Sequence, residues 1–386
     1  MSEFRTIREL CSVVVDCPHS TPKWTANGKI VIRNKNIKHG KIDFSSPSYT
    51  DDEHFAQRIK RAKPQPGDII ITREAPIGDV GMIPENTECC LGQRMVLLRA
   101  NQSVCDNFYL LYSLKSLYVQ HQISWSEGTG TTVSNLRIPH LEQIQIPYLP
   151  LEQQAKISSV LRALEEKIEN NRRLNDNLQQ QAAALFSSLY DRTNTEVRFT
   201  DLIQILGGGT PKTGENTYWN GNIAFFTPKD VGTPYTLITE KTITEEGLSH
   251  CNSRLYPVNT VFVTARGTVG KVGMSGVPMA MNQSCYALVG KETHQLLVYF
   301  YTLKAVDRLK HKASGAVFDA ITTRDFESEQ IMKLSDDDAK AFLCIAEPMF
   351  QKVLNNCIEN LRLSTLRDSL LPKLMSGEVD VSAVQL

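Results

Sequence analysis

Two stretches of this chain repeat apolar positions in steps of four and three, the pattern of a helix that buries one stripe against a second helix. In the first, the stripe is Ile157, Leu161, Leu164, Ile168, Asn171, Asn175, Leu178, Ala182, Leu185 and Leu189. In the second it is Phe342, Ala346, Met349, Val353, Asn356, Asn360, Leu363, Arg367, Leu370 and Leu374. Local signals bound both helices. Pro150 stands just before the first, Asp336-Asp337-Asp338 puts negative charge at the positive N-terminal end of the second, and Gly377 supplies a stop. At ~1.5 Å per residue, a helix of ~40 residues is a rod of ~60 Å.

Each stripe carries two asparagines at its centre. If the helices pair antiparallel with midpoints aligned, Asn171 falls beside Asn360 and Asn175 beside Asn356, and every amide finds a partner. An unpartnered buried amide costs ~1–3 kcal/mol, so a slip by one heptad is disfavoured. A parallel pairing in register also matches Asn with Asn but leaves both flanking regions at one end. The remaining alternative has the asparagines facing water.

Outside the helices the apolar runs are short, such as Ile69-Ile70-Ile71 and Val261-Phe262-Val263, and are punctuated by Gly and Pro. They predict short strands in irregular α+β domains. These regions are two copies of one pattern. Ser20-Thr21-Pro22-Lys23 returns as Gly209-Thr210-Pro211-Lys212, and Thr72 to Met82 returns as Thr264 to Met274 with glycines at the same two places. Leu91-Gly92-Gln93-Arg94 is answered by Met281-Asn282-Gln283-Ser284, and from Gly130 the register follows Gly315 onward without a gap.

The expected fold is therefore α+β: two domains in tandem repeat, separated by two long helices that form an antiparallel coiled coil with a pseudo-two-fold axis. The boundaries read as a first domain at 1–149, a central helix at 150–191, a second domain at 192–335, a C-terminal helix at 336–377 and a tail at 378–386. Helix pairing is assigned to the four asparagines with Leu164, Ile168, Leu178, Met349, Val353 and Leu363.

Composition narrows the class. A length of 386 residues, 41% hydrophobic and 22% charged, suits two cores of ~150 residues with connecting elements. No run approaches the ~18 apolar residues of a membrane helix, which points to a cytoplasmic protein. Nine cysteines without a CxxC spacing, and histidines that do not cluster near them, predict reduced thiols and no bound metal. Lys plus Arg and Asp plus Glu both number 42, so the whole molecule exerts no net pull on a polyanion. Any contact with DNA has to be local, at stretches such as Arg33, Lys35, Lys38 and Lys41 or Arg58, Lys60, Arg61 and Lys63, each of which can equally be a solvated edge.

Catalytic motifs are missing. No Asn or Asp precedes Pro-Pro-Tyr or Pro-Pro-Phe, the segment that holds a flipped adenine in amino-methyltransferases. Gly270-Lys271 is followed by Val272, and Ala265 stands where a phosphate loop needs its first glycine. Gly207-Gly208-Gly209 lacks the dinucleotide spacing and reads as a turn, as do Gly78, Gly81, Gly270 and Gly273.

The run Pro150-Leu151-Glu152-Gln153-Gln154, continuing through Lys167-Ile168-Glu169-Asn170-Asn171-Arg172-Arg173-Leu174-Asn175, resembles the central helix of the specificity subunits of type I restriction-modification systems. The run from Leu366 to Glu378 is similar to that family's distal helix, and Gly207 to Lys212 through Thr227-Pro228-Lys229-Asp230 resembles the opening of its target-recognition domains. The first domain departs from this pattern, with Asp16-Cys17-Pro18-His19-Ser20-Thr21-Pro22 in place of the glycine-rich opening.

The resemblance implies a DNA-binding subunit in which each domain reads one half of a split target. The helix pair would then set the spacing and dock methylation subunits, two of them, joined in the full complex by restriction and translocation subunits. S-adenosylmethionine, ATP and Mg2+ are expected on those partners, with no cofactor on this chain, which would direct adenine methylation and ATP-dependent restriction of double-stranded DNA. Since the copies differ, the target is expected to be asymmetric and bipartite.

Base reading needs side chains that reach base edges, Arg favouring guanine and Asn or Gln adenine, while Thr and Lys serve phosphates. The candidates for bases are Arg33, Asn34, Lys35, Arg73, Gln93 and Arg94 in the first domain and Lys229, Arg266, Gln283 and Arg324 in the second. Thr21 and Lys23, and Thr210 and Lys212, are the backbone candidates. Arg162, Glu165, Glu166, Arg172, Arg173, Lys352 and Arg362 are expected on outer helix faces, as a docking platform or merely a solvated surface. Two rival readings are an enzyme with cryptic methyltransferase or nuclease activity and an adaptor whose domains bind proteins.

Overall fold

The computed structural model describes residues 3–38, 40–125, 135–232, 234–312 and 320–381. Gly130 and Gly315, used above to set the repeat register, lie outside the described residues. The chain divides into two compact units, Met1–Glu166 with Leu363–Leu386, and Lys167–Arg362. Both boundaries fall inside long helices, Leu151–Tyr190 and Asp336–Ser376.

In the first unit an antiparallel sheet runs in the order Cys11–Asp16, Met95–Ala100, Ile69–Thr72, Val80–Met82. A second sheet contains the parallel pair Lys29–Ile32 and Cys89–Leu91. The triple isoleucine shows why an unbroken apolar run forms a strand here. Successive side chains point to opposite faces, so Ile69 and Ile71 join the core beneath Tyr109 and Leu110. Ile70 joins the core of Ile32, Met95 and Leu97 on the other side.

The second unit repeats this plan. Its five-stranded sheet runs Ile203–Gly207, Cys285–Gly290, Val261–Thr264, Val272–Ser275, Tyr235–Thr236. Strand Trp219–Phe226 pairs parallel with Met279–Met281. Val261 and Val263 enter the helix-side core and Phe262 the opposite one, as their counterparts do in the first unit.

The duplication extends to individual backbone bonds. Gly78 N–H donates to Thr72 O and Gly270 N–H to Thr264 O, both at 2.9 Å. Arg73 N–H donates to Arg94 O and Ala265 N–H to Ser284 O, both at 2.8 Å. Leu136 N–H reaches Arg73 O and Ile321 N–H reaches Ala265 O, both at 3.0 Å. Gly78 and Gly270, with φ of 81° and 73°, are turn residues as expected. Gly81 and Gly273 instead lie within strands, where a side chain would press on Ile37, Ile42 and the Lys41 carbonyl, or on Val231 and the Gly232 carbonyl. Gly207 ends a strand, and a side chain on Gly208 would strike the carbonyls of Met281 and Asn282, so the triple glycine is a close crossing of backbones and not a turn.

Candidate nucleic-acid interface

The repeated motifs of the first unit gather into one hydrogen-bonded cluster of loops. Pro22 is buried, whereas Thr21 and Lys23 on either side of it are exposed. Gln93 holds this loop, its Nε2 donating to the His19 carbonyl and to Thr21 Oγ1. Arg58, read in the sequence as part of a basic surface, is buried and donates to the carbonyls of Pro18, Ser20 and Leu91. Burial lowers its pKa, and the three carbonyls still favour the charged form.

Asn34 donates to the Glu74 and Ala75 carbonyls at 2.6 and 3.4 Å and so ties the short helix Asn34–Asn36 to the loop after Ile69–Thr72. Lys35 is exposed and reaches Ser46 Oγ at 3.2 Å. Arg33 is exposed, its guanidinium 5.0 Å from the ring of Trp24. Arg94 is exposed and pairs through Nε with Glu74 at 3.2 Å. Lys23 lies 3.7 Å from Asp51, whose pKa is lowered chiefly by the His54 backbone N–H.

Arg73 is different. It is 9% exposed. Its guanidinium donates to the Leu136 carbonyl at 2.9 Å, to Asp16 at 2.8 Å and to Asn135 at 3.1 Å. This side chain is committed inside the unit, where it joins three loops.

The second unit builds the counterpart cluster. Pro211 is buried between exposed Thr210 and Lys212, and Thr210 Oγ1 donates to Gln283 Oε1, pairing the counterparts of Thr21 and Gln93 with donor and acceptor exchanged. Thr227 N–H donates to Asp230, as Arg33 N–H does to Asn36, which places Lys229 at the position of Lys35. Lys229 stands 3.4 Å from Glu240, at the rim of a cleft of about 360 Å³ lined by Thr227, Lys241, Arg266, Asn282 and Ser284. Arg266 is exposed with no side-chain partner among the described residues. Arg324 is also exposed, on the short helix Thr323–Ser328.

Sequence reasoning missed Lys241, the third cation of this cleft, because a single lysine in a strand gives no signal. It also missed Trp24, exposed beneath Arg33, and the stack of Tyr218 on His250 at 4.9 Å. Glu74 was legible in principle, since the repeat sets it opposite Arg266.

On the helices, Asn171 Nδ2 donates to Asn360 Oδ1 at 2.9 Å and Asn356 Nδ2 to Asn175 Oδ1 at 2.8 Å, both within the second unit. One index rises by four as the other falls by four, so the segments run antiparallel. Asn171 also donates to Glu359, which lowers that carboxyl's pKa with help from Lys167. Ile168 and Val353 are buried, and Leu178 and Met349 pack partly buried against the same core. Leu164 and Leu363 are half-buried in the first unit. Glu165 is not an outer-face residue there. It accepts from Tyr112 and Lys115 at 3.0 Å and lies 3.5 Å from Arg367.

Among the described residues no group of three or more His, Cys, Asp or Glu is placed to hold a metal. Burial pushes the thiols of Cys11, Cys89 and Cys285 up to about 12, far from nucleophilic. No helix of the described residues is long and apolar enough to cross a membrane.

Comparison with known proteins adds a family. Residues 3–180 and 192–333 match the profile described as type I restriction modification DNA specificity domain. The type I restriction enzyme MjaIX specificity subunit of Methanocaldococcus jannaschii is 23% identical over 342 residues, covering 82% of this chain and 78% of that protein. The HindI specificity subunit of Haemophilus influenzae is 28% identical over 186 residues, 47% of this chain and 40% of that one. Among solved structures, the type I restriction-modification S subunit from M. genitalium superposes with a TM-score of 0.62 at 18% identity, covering 96% of this chain and 95% of the other, a likeness of fold.

Proposed function

This chain belongs to the type I restriction-modification DNA specificity family, and on that premise we propose that its two repeats each read one half of a bipartite, asymmetric target. DNA sequence recognition is the work of the family, whose members are non-catalytic subunits, and it is the work of this chain. The readings as a cryptic enzyme or a protein-binding adaptor are not favoured.

One observation carries the proposal. The same loops, held by the same backbone bonds, meet on each unit, yet they present different chemistry: Arg33, Glu74 and Arg94 on the first, Thr227, Arg266 and Ser284 on the second. A shared scaffold with different tips suits two readers of unlike half-sites. Exposed Arg33, Arg94 and Arg266 are the strongest base-reading candidates of the set, with Lys35, Lys229 and Arg324 beside them. Thr21, Lys23, Thr210 and Lys212 serve phosphates. Gln93 and Gln283 position the Thr-Pro-Lys loops, and Asn34 the Glu74 loop. Arg73 acts as an internal tie.

The chain works in complex with other subunits, which we take to be two methylation subunits and, in the restricting assembly, translocating nuclease subunits. S-adenosylmethionine, ATP and Mg2+ act on those partners, in the cytoplasm, where the adenine is methylated or the DNA cut. The test is methylome sequencing of a host that expresses this chain with its methylation partner, before and after exchange of residues 1–149 with 192–335. A split, asymmetric modified motif whose halves trade places supports modular reading. A motif that ignores the exchange refutes it.

A further inference from the structure

We propose that Glu74 and Arg94 act as one specificity-determining pair that reads a single C·G base pair in the half-site of the first repeat. The inference rests on the reading of that repeat as a DNA reader. It begins with the register of the duplication. Thr72 to Met82 aligned on Thr264 to Met274 sets Glu74 opposite Arg266, and Leu91 to Arg94 aligned on Met281 to Ser284 sets Arg94 opposite Ser284. The matched bonds Arg73 N–H to Arg94 O and Ala265 N–H to Ser284 O show that both loops keep this register in three dimensions. At one place in the scaffold, then, the first repeat offers an acid beside a base, and the second a base beside a hydroxyl.

The pair is built to present both groups. The Glu74 carbonyl accepts from Asn34, its carboxylate Oε1 accepts from Asn135 Nδ2 at 2.8 Å, and its Oε2 forms an ion pair with Arg94, 3.2 Å from Nε. A carboxylate accepts about four hydrogen bonds, so acceptor capacity remains. The Arg94 side chain is 57% exposed and comes nearest to Glu74 through Nε, and its two terminal amino groups have no hydrogen-bond partner among the described residues. Arg94 also sits at φ 65°, a left-handed conformation uncommon for a residue with a side chain, and its counterpart Ser284 is not among the positive-φ residues.

The chemistry then selects the ligand. In the major groove, cytosine presents its N4 amino donor next to the O6 and N7 acceptors of its guanine partner. N4 and O6 are hydrogen-bonded to each other and so stand ~2.9 Å apart. A carboxylate and a guanidinium 3.2 Å apart offer the complementary acceptor and donor side by side. Arg266, with Ser284 in place of a second charge, has no acid at its position and takes a guanine alone.

The test uses the assembled complex with its methylation partner and a pool of targets randomised at each position of both half-sites. Methylation and binding are scored letter by letter for Glu74→Gln, Glu74→Ala and Arg94→Ala. The expected result is a loss of about tenfold or more in discrimination at one position of the first repeat's half-site. That position is the same for all three variants, and every letter of the other half-site is kept. Unchanged letters, loss of discrimination at different positions, or an equal fall on every target would each overturn the proposal, the last by showing the pair to be a structural tie. Failure of the domain exchange described above would instead refute the underlying reading, and the two failures are separable because the exchange keeps Glu74 and Arg94 intact.

Discussion

Replacing Arg73 by alanine separates holding the fold from reading DNA. The side chain is 9% exposed and its loss removes donors to the Leu136 carbonyl, Asp16 Oδ2 and Asn135 Oδ1. Hydrogen bonds to a charged group are worth ~1.5–3 kcal/mol each, and breaking a buried ion pair costs ~3–5 kcal/mol because the surviving charge is stranded. Two features reduce the cost. The Asp16 and Arg73 side chains keep 18% and 11% of their exposure, and His19 stays 3.0 Å from Asp16 Oδ2. One increases it: Asp16 Oδ1 is buried with no hydrogen-bond partner among the described residues. A net loss of ~2–4 kcal/mol follows, since such terms are not additive. For a unit of this size that lowers the melting temperature by about 5–15 °C. Differential scanning calorimetry of the Arg73→Ala chain, with methylome sequencing at a permissive temperature, should show lower stability and an unchanged motif. A variant that melts with the parent but changes a letter of the motif would refute the reasoning and return Arg73 to the DNA surface.

Further outcomes follow from the same contacts. Asn356→Ala breaks the bond to Asn175 at a fully buried position and should cost ~1–3 kcal/mol in denaturant unfolding, whereas the double replacement Asn175→Leu with Asn356→Leu should recover most of it; a double variant no better than the single one would contradict this. Arg266→Ala should weaken binding to the cognate target about tenfold or more with little effect on random DNA, and Lys212→Ala should weaken both and reduce the salt slope by about 1, as read by titration at several salt concentrations. Gly208→Ala forces a methyl group against the Met281 and Asn282 carbonyls and should cost ~1–3 kcal/mol of stability, which an unchanged unfolding midpoint would disprove. Glu88, held near 2 by Lys29 and Lys63 against an ordinary 4.5, contributes stability that is complete above 4.5 and lost as pH falls through about 2; Glu88→Gln should flatten the stability profile across that interval.

Much of the architecture is periodic, and periodicity is a local property that can be read along a chain. The helical stripes, their central asparagines and the repeated loop motifs were all legible this way, and the family followed from the same residues. Pro348 and Pro372 lie inside the helix Asp336–Ser376, where an interior proline removes a backbone bond and ordinarily breaks or kinks the turn. The helix continues because apolar residues on it are buried near each proline, Phe342, Ala346, Phe350 and Val353 around Pro348 and Leu374 and Met375 after Pro372.

The orientation of single polar side chains was not legible. Arg73 and Arg94 are both arginines in repeated loop motifs, yet one is enclosed and the other exposed. Glu165 read as an outer-face residue and lies among Tyr112, Lys115 and Arg367. Sequence by itself determined the duplication, the α+β class, the paired helices and the loop segments that the two repeats share. Only the tertiary structure decided which charged groups within those segments face solvent, because a buried charge needs partners, and Arg73 draws its own from Asp16, Asn135 and Leu136, positions that no local pattern connects.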